Sequence, residues 1–338
     1  MKKLSLANLP TKIERLNRWS DECGKNIYVK RDDQTGSEWS GNKIRKLEFA
    51  VQEAREQGCD LLITCGGIQS NHCRATVSVA TYLGMKSAVL LRISEEPPVE
   101  GNYFLDRLLG ADVRFCTRDE YREHRGEIMQ EMADAYAARG YKPYIIPEGA
   151  SFGVGTLGYY YAMKEIVEQE KTLGVHFDTV VVATGSGGTL AGLQLSNLVN
   201  GYGKRVIGVC VCDDEAYFQA VAARISRDAL PYLAAQGEIS PMQAASWVER
   251  IQPSDFELFE EYVGIGYALS RPEELAHIRR IARLEAVVFD PVYTGKATYG
   301  MVNELRAGGR LRSSENILFI HTGGLFGLFP ISRSFPLE

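Results

Sequence analysis

The sequence has no run approaching the roughly 18 uninterrupted apolar residues that a membrane span needs, so no membrane partner is expected. Residues 1–10 hold two lysines but neither a long apolar stretch nor a small-residue cleavage site, and no secretory leader is expected. No basic block occurs, basic and aromatic residues are not interleaved, and the formal net charge is a modest −5; a nucleic-acid partner is not expected. No CxxC pair occurs among seven scattered cysteines, an odd number. Cys210 and Cys212 are close, but they lie in an apolar run that reads as strand rather than as zinc ligands, so no metal site is expected. Reduced thiols in a cytoplasmic protein are the simplest reading. Internal repeats, low-complexity tracts and linkers are missing too.

What is present is an ordinary globular balance: 338 residues, 45% apolar and 24% charged. That length suits two domains, or one large domain with a subsidiary lobe. Short apolar runs at 27–29, 61–64, 88–91, 113–116, 144–146, 179–183, 206–211 and 317–320 read as buried strands. Between them, helical patterns occupy 42–57, 71–83, 103–109, 120–138, 157–170, 189–198 and 273–283. The alternation predicts an α/β fold with parallel sheets covered by helices on both faces. The stretch 217–267 is more helical and polar, and its elements are harder to place. Ligands of such sheets bind beyond the carboxyl ends of the strands, so the strand-to-helix loops are where chemistry is sought.

Four loops stand out. In Ser40-Gly41-Asn42-Lys43-Ile44-Arg45-Lys46, a helix opens whose apolar stripe runs through Ile44, Leu47, Ala50, Val51 and Ala54. At about 100° per residue, Lys43 falls within roughly 40° of the stripe's centre and Lys46 about 100° away. Burial lowers a lysine's pKa and frees the amine for imine chemistry. A lysine at a helix start is more often a solvated surface group, so this loop alone decides little. Cys65-Gly66-Gly67-Ile68-Gln69-Ser70-Asn71-His72 follows a strand and puts Ser70 and Asn71 at a helix N-terminus. That is a ready carboxylate site, although ordinary capping also explains Ser-Asn. Thr184-Gly185-Ser186-Gly187-Gly188-Thr189 has the composition and placement of a phosphate cradle, without the Gly-Lys-Ser/Thr ending of a P-loop or GxGxxG spacing. A tight turn without ligand is the plainer reading of it. The fourth comprises Asp290-Pro291-Val292-Tyr293-Thr294-Gly295-Lys296 and, after the last strand, His321-Thr322-Gly323-Gly324.

Taken in order, SGNK, GGIQSN, GSGGT, DPVYTGK and HTGG resemble the tryptophan-synthase-β-like (fold type II) enzymes that use pyridoxal 5'-phosphate (PLP). Within them the similarity is to the branch of 1-aminocyclopropane-1-carboxylate (ACC) deaminase and D-cysteine desulfhydrase, over roughly residues 9–328. The resemblance implies two α/β lobes, a large one from 1–46 plus 160–338 and a smaller inserted one at 47–159, with the cofactor between them. It implies that Lys43 forms the Schiff base and afterwards moves the Cα proton. Gly185, Ser186, Gly187, Gly188 and Thr189 would hold the cofactor phosphate, with Lys46 as a side-chain helper. Asn71 would meet the ring oxygen and Thr322 the pyridine nitrogen. On the substrate side it implies Ser70 at the carboxylate, with Asn71, His72, Tyr267, Tyr293 and Thr294 nearby. A homodimer is implied by the same analogy.

Two positions tilt the choice within the branch. ACC deaminases have Glu after the DPVY tyrosine and Leu before the final Gly-Gly; Thr294 and Thr322 stand there, as in D-cysteine desulfhydrases, and His72 replaces a Gln. A neutral threonine leaves the pyridine nitrogen largely unprotonated, a weaker electron sink that suffices when a good β-leaving group departs. The expectation is β-elimination from a β-substituted alanine, D-cysteine foremost, giving pyruvate, ammonia and sulfide, with Lys43 or a nearby tyrosinate as base. L-cysteate sulfo-lyase and ACC deaminase are the alternatives. A metabolite-sensing module would suit the composition but leaves Lys43 and the phosphate cradle unexplained.

Overall fold

The computed structural model describes residues 3–337. In chain order its elements are β1 (Ile13–Arg15), α1 (Asn17–Cys23), β2 (Asn26–Lys30), α2 (Lys43–Glu56), β3 (Leu61–Gly67), α3 (Asn71–Tyr82), β4 (Lys86–Arg92), α4 (Gly101–Leu108), β5 (Asp112–Cys116) and α5 (Arg118–Ala137). There follow β6 (Pro143–Ile145), α6 (Gly153–Leu173), β7 (Thr179–Thr184), α7 (Gly188–Asn200), β8 (Arg205–Cys210), α8 (Glu215–Ala235), α9 (Pro241–Arg250), β9 (Glu257–Phe259), α10 (Pro272–Glu285), α11 (Thr294–Leu305) and β10 (Asn316–Ile320). One sheet has the order β1-β2-β10-β7-β8-β9 and the other β5-β4-β3-β6. Every pairing is parallel except β1 with β2. The α/β class with parallel sheets is therefore borne out. No helix among the described residues is long and apolar enough to cross a membrane.

Strand β7 shows why the pattern was readable. Its run Thr-Val-Val-Val-Ala-Thr is buried at all six positions, because helices cover both faces and leave no solvated side to alternate toward. The stretch 217–267 resolves into α8, α9 and the three-residue edge strand β9. The chain at 294–305, read from sequence only as part of a motif, is helix α11.

Helix α2 carries the lysine of interest and is packed on two sides. Phe49 and Ala50 join the core formed with Leu157, Met163, Leu190 and Leu193. Ile44, Leu47, Val51 and Ala54 join a second core with Leu62, Ala75, Val79 and Ile146. Beneath it, Arg45 donates to Asp32 through Nε (2.8 Å) and Nη2 (2.9 Å) and to Glu165 through Nη1 (3.0 Å). Asp32 also accepts from Thr11 Oγ1 at 2.7 Å and Tyr159 Oη at 2.5 Å, and Lys30 bonds Glu165 and the Thr11 carbonyl. Burial alone would raise the Asp32 pKa, but the Arg45 charge and its hydrogen bonds hold it below the usual carboxylate range. A fully bonded ionic cluster of this kind fixes where α2 begins.

Candidate active site

The carboxyl ends of β3, β7 and β10 and the start of α2 converge on a cleft. Asn42, Lys43, Ser70, Asn71, His72, Gly185, Ser186, Gly187, Thr189, Tyr267, Tyr293 and Thr322 all line it, together with Gly67, Glu148 and Gly149. Loops separated by up to 280 positions in the chain thus meet in one place, since Asn42 and Thr322 share its wall.

Lys43 is the first residue of α2. Its Nζ donates to Asn42 Oδ1 at 2.8 Å and lies 5.9 Å from the Tyr293 ring centre. Burial pushes its pKa from 10.5 down to about 8, outweighing the opposing charges of Asp290 and Glu148. Close to neutral pH a sizeable fraction of this amine is therefore unprotonated and nucleophilic. The preceding Asn42 ties the loop down: its N–H donates to the Thr322 carbonyl at 3.1 Å and its Nδ2 to Thr189 Oγ1 at 3.0 Å. Gly41 permits this closeness, with φ of 105° and room for no Cβ, which would stand 2.7 Å from the Thr322 carbonyl oxygen.

The cradle sits where β7 passes into α7. Among the described residues, the amides of Ser186, Gly187 and Thr189 have no acceptor in the chain, while Gly188 N–H donates to Ser151 Oγ at 3.2 Å. Ser151 Oγ lies 2.8 Å from Ser186 Oγ, and fully buried Lys46 reaches Ser151 Oγ at 3.4 Å and the Gly149 carbonyl at 3.2 Å. Burial and the neighbouring Lys43 lower the Lys46 pKa far below its usual value. Free amides at a helix N-terminus beside a lysine are a fit for a phosphate dianion, whose charge would also restore the lysine's proton. Gly188 faces Ser151 and Lys46 behind the cradle rather than the cleft itself.

On the opposite wall, Ser70 caps α3 by accepting from Cys73 N–H at 3.2 Å while also lining the cleft, so capping and a ligand-facing position coexist. His72 is buried, its Nε2 2.7 Å from Thr64 Oγ1. Burial and the charges of Lys43 and Lys46 drive its pKa far below 6.5, so it is a neutral imidazole. Tyr267 and Tyr293 bring their hydroxyls to 2.6 Å. Burial pushes Tyr267 up to about 12 and Tyr293 well above its ordinary value. Both are neutral phenols near pH 7, and the expectation of a tyrosinate base is corrected accordingly. Thr322 lines the cleft, its carbonyl accepting from Asn42 N–H.

Thr294 does not fit its expected place beside substrate. It is fully buried and absent from the cleft wall; its Oγ1 donates to Asp290 Oδ1 at 2.7 Å and accepts from the Asp290 N–H at 2.8 Å. As the first residue of α11 it turns inward, where Asp290 also accepts from the N–H groups of Val292, Tyr293 and Thr294. It bonds Asp290, which in turn holds the backbone of Tyr293. Sequence reading missed Glu148 and Ser151, which lie after β6 in Pro147-Glu148-Gly149-Ala150-Ser151. The signal was available: a Gly/Ser loop at the carboxyl end of a parallel strand. It also missed Arg92, whose guanidinium carbon stands 4.6 Å from the Tyr267 ring and 4.9 Å from that of Tyr121.

A half-buried lysine of lowered pKa, a phosphate cradle and a two-sheet parallel fold are together the features of a PLP-dependent enzyme. The sequence profile of the family described as pyridoxal-phosphate dependent enzyme matches residues 4–323, and the chain belongs to that family. It is 40% identical, over 96% of its length and 79% of the relative's, to the bifunctional D-cysteine desulfhydrase/1-aminocyclopropane-1-carboxylate deaminase of Arabidopsis thaliana. It is 37% identical to the D-cysteine desulfhydrase of Serratia proteamaculans, over 97% and 95% of the two chains. A solved ACC deaminase homologue superposes with a TM-score of 0.86 at 35% identity, covering 98% of this chain and 94% of that one.

Proposed function

We propose that this enzyme carries out β-elimination on a β-substituted alanine, D-cysteine foremost, releasing sulfide and yielding pyruvate and ammonia. The observation that carries this reading is the arrangement around Lys43: a lysine of pKa about 8 faces a pair of protonated phenols across the cleft. Lys43 would hold PLP, which when bound would supply an electron sink for the charge left when Cα loses its proton. Lys43 Nζ would take that proton. Ser70 and the free amides at the start of α3 would hold the substrate carboxylate and orient the Cα–H bond, with the Asn71 side chain turned to the cofactor's ring oxygen. The hydrogen-bonded Tyr293–Tyr267 pair, too high in pKa to act as a base, donates a proton to the departing sulfur. Ser186, Gly187 and Thr189, with Ser151 and Lys46 behind them, would hold the phosphate. Thr322, uncharged, would be the residue for the pyridine nitrogen.

The 37% identity to the D-cysteine desulfhydrase of Serratia proteamaculans supports the choice of substrate, while the Arabidopsis relative carries both activities in its name. A panel of D-cysteine, L-cysteine, β-chloro-D-alanine, L-cysteate and ACC tests it. Sulfide and pyruvate from D-cysteine are expected. Sulfite from L-cysteate alone would keep the elimination and change the substrate; α-ketobutyrate from ACC as the main product would overturn the reading.

The same proposal includes lobes at 1–46 plus 160–338 and at 47–159. The four strands of the smaller sheet, which all lie between residues 61 and 145, support it, although both limits fall inside helices, α2 and α6. Seven free thiols suit a cytoplasmic setting. The homodimer rests on analogy to the family, and sedimentation velocity of the purified protein checks it.

A further inference from the structure

The orientation of the Asn71 amide can be deduced from a chain of hydrogen bonds that begins at a group able only to donate. Arg74 is fully buried in α3. It donates through Nε to Asn102 Oδ1 at 2.8 Å, through Nη2 to the Ser40 carbonyl at 2.8 Å, and through Nη1 to Ser40 Oγ and the Glu38 carbonyl. A guanidinium has no acceptor, so the Asn102 atom facing Arg74 must be its carbonyl oxygen. The other end of Asn102 is then its NH₂, which donates to the Gln69 carbonyl at 3.0 Å and to Asn71 at 3.1 Å. The Asn71 atom facing Asn102 must in turn accept, and is Oδ1. Its NH₂ is left on the cleft side, without an acceptor among the described residues.

We infer that Asn102, itself held by Arg74, is a positioning residue that locks Asn71 with its NH₂ toward the cofactor. The inference rests on the reading above that Asn71 meets the ring oxygen. With NH₂ forward, Asn71 donates to that oxygen and favours its anionic form; with the amide reversed, a carbonyl would oppose it. The same guanidinium grips residues 38–40, just before Gly41-Asn42-Lys43. It thereby ties the donor to the ring oxygen to the loop that presents the lysine.

The test is a pH titration of visible absorbance on the cofactor-loaded protein and on its Asn71→Ala, Asn102→Asp and Asn102→Ala variants, with thermal melts alongside. Asn102→Asp keeps an acceptor for Arg74 but turns an acceptor toward Asn71, so the Asn71 amide reverses. Losing the donor leaves the proton shared by ring oxygen and lysine nitrogen held more tightly, so the titration midpoint moves up. A rise of about one pH unit or more is expected for Asn71→Ala and Asn102→Asp. A smaller rise is expected for Asn102→Ala, which frees the amide without reversing it and serves if the Asp variant does not fold. A purely structural role for Asn102 would lower the melting temperature and leave the midpoint unmoved, overturning the inference. No shift for Asn71→Ala would overturn the placement of Asn71 as well, which separates the two failures.

Discussion

Tyr267 and Tyr293 reach the cleft from different segments, one from the loop before α10 and one from the turn into α11, and set their hydroxyl oxygens 2.6 Å apart. The two rings are nearly perpendicular, at 73°, so the contact is made through the hydroxyls rather than by stacking. One proton lies between the two oxygens, and the second hydroxyl hydrogen is free to point at a ligand.

Removing that donor affects turnover and spares the cofactor. Tyr293→Phe is expected to lower kcat for elimination by about 10²–10⁴-fold while the protein retains its full PLP content by absorbance. Because burial places Tyr267 at about 12 and Tyr293 higher, no limb of the kcat–pH profile below pH 10 should vanish in this variant. Disappearance of such a limb would show that one tyrosine works ionised.

Lys43→Ala is expected to fold but to bind PLP without a borohydride-reducible link, and to show no turnover. In the wild-type apoprotein, covalent capture of PLP needs the neutral amine. Burial holds Lys43 near 8, so the capture rate at saturating PLP should rise through about pH 8 and level off above it. A rise continuing toward the ordinary lysine value near pH 10.4 would show that the anchor is a solvated lysine.

Gly187 opens the N-terminus of α7 with φ of 79°, and a Cβ there would stand 3.1 Å from Val221 Cγ1. A β-branched side chain is strained by about 1–3 kcal/mol in that backbone region. Gly187→Val should therefore weaken PLP retention about 5- to 100-fold, measured by equilibrium dialysis. Unchanged retention would mean that this loop does not close on the phosphate.

Much of this site could be read from the chain. All eight expected strands exist; β3, β4, β7, β8 and β10 are buried almost throughout and so appear as continuous apolar runs. Strands β1 and β9 went unread, being three-residue edge pieces with too few positions to show a period. Helix α8 hid because its polar exposed face broke up the apolar stripe. Lys43, the Ser70-Asn71 pair and the cradle stood out through local glycine and capping signatures, whereas Tyr267 and the role of Tyr293 came only from the resemblance to the family. Asn102 and Arg92 were not, since each gains its place only from partners far along the chain. Thr294 was misplaced for a geometric reason. Adjacent residues at a helix start point about 100° apart, so the neighbour of a cleft residue need not face the cleft.

That misplacement changes the outlook for altering the substrate. Thr294→Glu would drive a second carboxylate against Asp290 in a fully buried position. A destabilisation of about 3 kcal/mol is expected, visible as a lowered denaturation midpoint, along with loss of Tyr293 placement. A variant as stable as the parent would show that Thr294 can swing out to the cleft. Thr322→Leu, on the cleft wall, should be tolerated far better.

Helix α2 gives one face to each of two cores and, at its first turn, the lysine. A chain built this way cannot lose one half and keep the other. Fraying of the smaller sheet strips Ile44, Leu47 and Val51 of their neighbours and loosens the very turn that anchors the cofactor. The visible colour of the holoenzyme is thus a reporter of the integrity of the entire molecule, and its fading should coincide with global unfolding in denaturant rather than precede it.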